Sequence, residues 1–351
     1  CQGGVRLPRD RMRAFAGQAP SRPSPGKRKE RGRPLPPNPG HKLWQNICWC
    51  QPLGDPSVTA ADPPDYRRAG NFDRAVFQAE FADQFSRNAR YSAAAVPDML
   101  VLLGMIERDP NIIDIRWAAY ILATVMWETT SPTTVTRPAL NRKGKPLLDK
   151  KGQPVIVKER KWLMTMAPVD EIGHGKGRRY HEPVKVKVLA DGGARITEQD
   201  GDQFSISAAG AIKPLTRRAV MGTQDGGAAV KAYDDDDGTE QAYYGRGYVQ
   251  LTWWSNYAAS GLAIGRGLDL LLDPELVKSP EIAYALMSHG MRTGQGFANG
   301  HKLAQYFSGT LTNYAGARRM VNGQDHAADI AAIATRFEAI LLKSSRSDTA
   351  A

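Results

Sequence analysis

The chain has 351 residues, 42% of them hydrophobic, and is therefore long enough to bury a core over most of its length. Its net charge of +11 is concentrated at the start, since residues 1–42 contain eleven Lys and Arg against Asp10 and Glu30. The other 309 residues carry only +2, which argues against a broad nucleic-acid-binding face. No apolar run is long enough to span a bilayer, and no signal peptide is recognisable.

Residues 1–65 are rich in Pro, Arg and Gly and lack a periodic apolar pattern, which predicts a disordered segment. All three cysteines, Cys1, Cys48 and Cys50, lie in this segment, so the rest of the chain forms no disulfide and needs no oxidising compartment. No second cysteine pair or histidine cluster completes a metal site, and we interpret the cysteines as incidental.

A helical pattern begins at about residue 71. Phenylalanines recur at helical spacing from Phe72 to Phe85, and the apolar run 96–106 predicts a second helix. A third helix is predicted to begin at Asp114, an N-cap residue, and to end at Glu128.

In this pattern Glu128 is the last residue on an apolar face of the third helix. A carboxyl group at the edge of an apolar wall is desolvated, which raises its pKa towards the value that a general acid needs. The alternative is a solvated glutamate in the last turn of a helix, which is the commoner position for a lone glutamate.

The middle of the chain has strand patterns. Residues 141–165 are predicted to form a hairpin, and alternating residues from Val184 onwards predict a small β insertion over 184–240. The acidic run 234–237 is interpreted as a solvated loop, because a calcium loop of the EF-hand type would need an acid at Tyr233. Helical segments follow around 270–272, 282–287 and 327–342.

Two glycines flank Arg246 in the sequence Tyr243-Tyr-Gly-Arg-Gly, and they leave room for a ligand near the backbone. Gln250, Thr252 and Asn256 follow with amide and hydroxyl groups among aromatic residues. This composition suits a sugar chain, although an aromatic cluster is more often part of a core.

Four blocks in this order, residues 117–130, 168–180, 243–253 and 317–323, resemble the glycoside hydrolase family 19 chitinases and most closely their phage and bacterial endolysin-like members. The resemblance extends over about residues 71–343, with 344–351 as a tail. It implies a mainly α, α+β lysozyme-like fold with a small β insertion between the catalytic blocks.

The resemblance also implies roles for individual residues. Glu128 corresponds to the general acid, and Glu171 is our placement of the base, with Glu182 and Glu240 as alternatives because the insertion loosens the alignment. Thr252 would help to hold the attacking water. The implied substrate-binding residues are Tyr244, Arg246, Gln250, Asn256 and Asn322. No metal or cofactor is implied. The residue before the acid is Trp127 here, where the family usually has histidine.

The implied reaction is inverting hydrolysis of β-1,4 bonds in a polymer that contains N-acetylglucosamine, with carboxyl groups about 6.5–9.5 Å apart. The endolysin-like block 317–323 and the lack of a recognisable signal peptide favour peptidoglycan over chitin. Two alternatives remain open: a noncatalytic glycan-binding or virion protein, and a lytic transglycosylase, which would tolerate loss of Glu171. We expect a monomer that is made in the cytoplasm and reaches the cell wall after release, as a phage protein or by a non-classical secretion route.

Overall fold

The computed structural model of the protein describes residues 71–216 and 232–346. The predicted disordered segment 1–65 and the end of the tail lie outside these residues. The helices in the described part are α1 (Arg74–Phe85), α2 (Val96–Arg108), α3 (Ile115–Glu128), α4 (Trp254–Ala263), α5 (Asp269–Leu272), α6 (Pro280–Thr293), α7 (Tyr314–Ala317), α8 (Arg319–Asn322) and α9 (Ala327–Ser344).

Helix α3 runs through the core, and every residue from Ile115 to Met126 is buried. The sequence indicated one apolar face, whereas the helix is covered on all sides. Its N-cap is Asp114, as predicted, whose Oδ1 accepts from the Arg116 backbone N–H at 2.8 Å. Helix α9 packs along α3, and Phe337 of α9 contacts the rings of Phe81 and Phe85 in α1.

The first two strands, β1 (Ser131–Pro138) and β2 (Ile156–Leu163), pair antiparallel from Ser131 opposite Leu163 to Pro138 opposite Ile156. The hairpin predicted over 141–165 is therefore present, but its first strand starts ten residues earlier, directly after α3. The sequence gives no sign of β1, because residues 131–138 are mostly polar and do not alternate with apolar residues. They need no such alternation, since the pair of strands β1 and β2 does not cover a core.

The predicted β insertion is a five-stranded sheet in the order β7-β6-β5-β4-β8, and every adjacent pair in it is antiparallel. Its strands are β4 (Val184–Val188), β5 (Ala194–Thr197), β6 (Gln203–Ile206), β7 (Ile212–Thr216) and β8 (Thr239–Gln241). The acidic run before β8 is only partly solvated, because Asp236 is buried and accepts hydrogen bonds from Arg195 Nε at 3.0 Å and from the Thr197 hydroxyl. The sequence cannot show this pairing, since the partners lie about 40 residues away.

Two very short strands join distant parts of the chain. Strand β3 (Val169–Asp170) pairs with β9 (Arg246–Gly247), so that the blocks 168–180 and 243–253 lie side by side. Strands β10 (Phe307–Ser308) and β11 (Leu311–Thr312) pair antiparallel and form a short hairpin before α7. The mixed helix and strand content confirms the predicted α+β fold class. Within the described ranges no helix is both long enough and apolar enough to cross a bilayer.

Candidate active site

Glu128 is the last residue of α3, and its side chain is 16% exposed. Its Oε1 accepts a hydrogen bond from Nη1 of Arg318, whose side chain is only 1% exposed. Arg318 Nε in turn donates to the Asp325 carbonyl at 2.9 Å, which holds the guanidinium in place. The environment of Glu128 is thus a buried ion pair at the end of an apolar helix, and not the purely apolar wall that the sequence indicated.

Trp127, which stands where the resemblance leads us to expect a histidine, contacts two cationic or polar groups. The guanidinium of Arg90 lies 3.6 Å from the centroid of the indole ring. The imidazole ring of His326 lies 4.7 Å from that ring, and His326 is the residue immediately before α9. An imidazole is therefore present beside Trp127, although it comes from a different part of the chain.

Glu171 directly follows β3, and both of its carboxylate oxygens accept hydrogen bonds. Tyr180 donates to Oε1 at 2.9 Å, and the backbone N–H of Gly245 donates to Oε2 at 3.1 Å. Burial, together with this hydrogen bond to Glu171, raises the pKa of Tyr180 to about 12, so its hydroxyl stays a donor at neutral pH. A Cβ at Gly245 would stand 3.1 Å from Glu171 Oε2, which is tighter than ordinary van der Waals contact, so a larger residue here would require the Glu171 side chain to shift.

Arg246 lies beneath Tyr244 and is itself 3% exposed. Its guanidinium is 3.6 Å from the Tyr244 ring and donates to Glu275 at 3.0 Å and to the Ala242 carbonyl at 2.8 Å. These contacts support Tyr244 from the protein side, so Arg246 acts as a positioning residue in the structure instead of offering its donors to a ligand. The other neighbour of Tyr244 is the His174 ring, stacked at 4.3 Å.

The remaining residues of the 243–257 block have mixed environments. Gln250 Nε2 donates to the Val169 and Gly247 carbonyls, both at 3.1 Å, and thereby fastens β3 to β9. Asn256 Nδ2 donates to the Thr252 carbonyl at 2.8 Å. The Thr252 hydroxyl forms no hydrogen bond with the part of the chain that the structure describes, and it is half-buried.

The structure brings Glu171, Tyr244, Gln250 and Arg246 together around the β3–β9 pair. Glu128 is held by a different set of partners, and no hydrogen bond or ion pair within 71–216 and 232–346 links it to Glu171. Asn322 is exposed at the end of α8, four residues after Arg318.

The two alternative bases are placed differently. Glu240 lies on β8 in the insertion sheet, where it accepts from Tyr233 at 2.8 Å, and Glu182 is exposed beside Tyr180 in a shallow cleft. Trp253 lines the same cleft, is 38% exposed and meets the Tyr180 ring edge-on at 5.7 Å. Half-exposed aromatic faces thus lie next to Glu171, as sugar-binding surfaces require.

Sequence reasoning missed two residues of this site. Arg318 was inside a block that carried the resemblance, yet only Asn322 of that block was selected. Tyr180 ends the 168–180 block and binds Glu171. The sequence carries no clear signal for Arg318, because Arg319 follows it directly and only the structure shows that Arg318 is the buried one of the two.

Residues 222–295 match the family described as chitinase class I, glycoside hydrolase family 19. The resemblance to family 19 is confirmed over this segment, which contains Tyr244, Arg246, Gln250, Thr252 and Asn256 but not Glu128 or Glu171.

Curated relatives match over short segments. An endochitinase of Arabidopsis thaliana is 51% identical over 43 residues, 12% of this chain and 14% of that protein. An acidic endochitinase of Solanum chilense is 43% identical over 68 residues, 19% of this chain and 25% of that protein. The chain thus spans a quarter or less of the length of these relatives. No solved structure matches the chain.

Proposed function

We propose that the protein is a glycoside hydrolase that cleaves β-1,4 bonds in a polymer containing N-acetylglucosamine. The observation that carries this proposal is the placement of Glu171: hydrogen bonds from Tyr180 and Gly245 fix it against the segment that matches family 19. Two hydrogen bonds stabilise a carboxylate anion, which is the form that a general base needs.

Glu128 is proposed as the general acid. Arg318 occupies its Oε1, while Oε2 forms no hydrogen bond with any described residue and is the oxygen from which a proton would be transferred in the substrate complex. In the proposed reaction this proton passes to the leaving oxygen of the glycosidic bond as Glu171 takes a proton from the attacking water. The water attacks from the opposite face of the sugar, so the anomeric configuration inverts. Among the described residues no partner takes up the Thr252 hydroxyl, which suits it to hold the water.

The finer proposal is that peptidoglycan is the preferred polymer. It rests on the 317–323 block, which resembles endolysin-like members of the family and supplies Arg318, the partner of the proposed acid. The relatives are named as endochitinases, and chitin and peptidoglycan share the β-1,4 link to N-acetylated sugars. The assay must therefore contain both.

The test incubates the full chain with purified peptidoglycan and with chitin oligomers and follows new reducing ends and their anomeric form by NMR. The variants are Glu128→Gln and Glu171→Gln, and the matched controls are Glu182→Gln and Glu240→Gln, the two alternative bases. A general acid or base typically contributes about 10²–10⁴-fold to the rate, so we expect losses of this size in the first pair only. Circular dichroism checks that every variant folds.

Other outcomes separate the competing hypotheses. Products with 1,6-anhydro ends, together with full activity of Glu171→Gln, would identify a lytic transglycosylase. Binding without turnover by the wild type would identify a noncatalytic glycan-binding protein. A large loss in Glu182→Gln or Glu240→Gln instead of Glu171→Gln would reassign the base.

A further inference from the structure

The hairpin that follows Glu128 forms an extended basic arm, defined as residues 131–163. Within the described residues its strands β1 and β2 pair with each other and with no other strand. The arm contains nine Lys and Arg against Asp149 and Glu159, a net charge of +7. Since residues 43–351 as a whole carry only +2, the rest of that region is net negative. Within residues 43–351 the net positive charge is therefore localised on the basic arm.

The tip of the arm repeats one turn twice. Leu140-Asn-Arg-Lys-Gly-Lys-Pro-Leu is followed directly by Leu148-Asp-Lys-Lys-Gly-Gln-Pro-Val. In each copy the Asn or Asp side chain caps the turn: Asn141 Oδ1 accepts from the Lys143 and Lys145 backbone N–H groups at 2.8 and 3.1 Å. Asp149 Oδ1 accepts equivalent bonds at 2.8 and 2.9 Å. The turns are thus built by short polar side chains and glycines, and the cations are not needed to form them.

Every residue from Leu140 to Ile156 is exposed. The aliphatic side chains of the tip are 38–60% exposed, and they are Leu140, Leu147, Leu148, Val155 and Ile156. Exposed aliphatic residues in such a cluster, rimmed by polar groups, mark an interaction surface. They also distinguish the tip from a sugar-binding strip, which would need aromatic faces, and from a nucleic-acid site, which would not need aliphatic groups.

The five tip cations are Arg142, Lys143, Lys145, Lys150 and Lys151. In the part of the chain that the structure describes, none of them forms an ion pair, whereas Arg137 and Lys161 in the strands pair with Glu159. The Asp149 carboxylate is committed to its turn. Unpaired cations interleaved with aliphatic side chains complement a surface that offers both negative headgroups and an apolar interior.

We propose that the tip of the basic arm binds the surface of a bilayer containing anionic phospholipids. The leucines enter the boundary between headgroups and acyl chains, and the cations bind lipid phosphates. Only Thr129 and Thr130 separate the arm from Glu128, so this contact holds the candidate active site close to the membrane surface. The proposal concerns adhesion alone and does not depend on hydrolase activity.

The test measures co-sedimentation of the full chain with phosphatidylglycerol–phosphatidylcholine vesicles and with pure phosphatidylcholine vesicles. One variant replaces the five tip cations by serine, and a second is Leu147→Ser with Leu148→Ser; both retain Asn141, Gly144, Asp149 and Gly152 and thus the turns. A matched control replaces five cations of the basic first segment by serine: Arg6, Arg9, Arg11, Arg13 and Arg22. Far-UV circular dichroism of each variant provides a folding readout that does not depend on any enzymatic activity.

We expect the five-cation tip variant to lose at least about 100-fold in affinity for anionic vesicles, since each cation near such a surface contributes about 1 kcal/mol, or about fivefold. The leucine variant should lose about tenfold or more, because two buried side chains leave the bilayer. The first-segment control should lose much less than either. Equal losses in the tip variant and the control, or wild-type vesicle binding by both tip variants, would overturn the proposal. So would a tip-dependent affinity for peptidoglycan or DNA without vesicle binding.

Discussion

The Glu128–Arg318 pair joins the end of a core helix to a residue 190 positions later in the chain. Both charges are largely withdrawn from water, with 16% and 1% of the side chains exposed. Desolvation offsets much of the attraction within a buried pair, so the intact pair contributes little net stability, but removal of one partner leaves an uncompensated buried charge. The role of Arg318 is therefore to make a buried carboxylate tolerable at this position.

Arg318→Met tests this role. We expect the variant to lose about 3–5 kcal/mol of unfolding free energy at neutral pH, because Glu128 is left charged without a partner. The double variant Arg318→Met with Glu128→Gln should recover part of this loss, since no net charge remains buried. Urea unfolding of the wild type, both single variants and the double variant measures the coupling.

The control is Arg137→Met, which breaks an ion pair whose side chains are 50% and 41% exposed. Exposed pairs contribute about 0–1 kcal/mol, so this variant should remain close to the wild type. If Arg318→Met were as stable as Arg137→Met, or if adding Glu128→Gln made it worse, the pair would not be the constraint that we describe.

The candidate acid could be predicted at the residue scale, and its partner could not. Glu128 follows an N-capped, almost wholly apolar run of helix, and such a local pattern is visible in the sequence. Arg318 and Tyr180 act through contacts with residues that are distant along the chain or across a glycine loop, and periodicity does not register such contacts. The buried position of Arg246 was hidden for the same reason: glycines on both sides suggested an open backbone, whereas Glu275, Ala242 and Tyr257 enclose the guanidinium.

At the scale of elements, long helices and the alternating strands of the insertion were predictable, because each has an apolar face with a clear period. The start of the basic arm was not predictable, since β1 covers no core and its residues need no alternation.

The insertion sheet has another property that sequence patterns do not show: it carries a largely buried carboxyl group. Glu198, just after β5, accepts from Trp254 Nε1 at 2.9 Å, and its side chain is 13% exposed.

Burial is the main cause that raises the pKa of Glu198 above its usual value, and the nearby Asp200 adds to it. A raised pKa means that the folded state holds this proton at pH values where the unfolded chain has lost it. Stability is therefore fully retained below the unfolded value of about 4.3 and decreases as the pH rises through the folded value.

Glu198→Gln should remove this pH dependence, because the amide oxygen can still accept from Trp254 and carries no charge. We expect the variant to be more stable than the wild type at pH 7 and equal to it at about pH 3.5, where the wild-type carboxyl is protonated. Thermal unfolding at both pH values measures the difference. Glu159→Gln is the control, since Arg137 lowers the pKa of that exposed carboxyl and no gain at pH 7 is expected. A gain of equal size at both pH values would point to packing instead of ionisation.

On the scale of the whole molecule, the first and last described elements close the core. The Asp73 backbone N–H donates to the Ser344 carbonyl at 2.7 Å, and Phe72 and Ser345 form a β-bridge. Helix α9 then packs on α1 on one side and on α3, which ends at Glu128, on the other. Because these elements are distant in sequence, their packing requires most of the chain to be folded, and the unfolding of this part should be cooperative.

Phe337 is the residue at which this closure can be tested, because it is fully buried and its ring lies 5.8 Å from Phe81 and 5.1 Å from Phe85. We expect Phe337→Ala to cost about 3–5 kcal/mol of unfolding free energy, and Phe337→Leu clearly less, since leucine fills part of the cavity. Leu311→Ala, at a side chain that is 46% exposed, should change stability by no more than about 0.5 kcal/mol. Urea unfolding followed by both tryptophan fluorescence and far-UV circular dichroism gives the measurement. If α1 and α9 belong to the same cooperative unit as α3, the two signals of Phe337→Ala should change in one coincident transition. A separate early transition in either signal would show that the two helices dock onto a core that is stable without them.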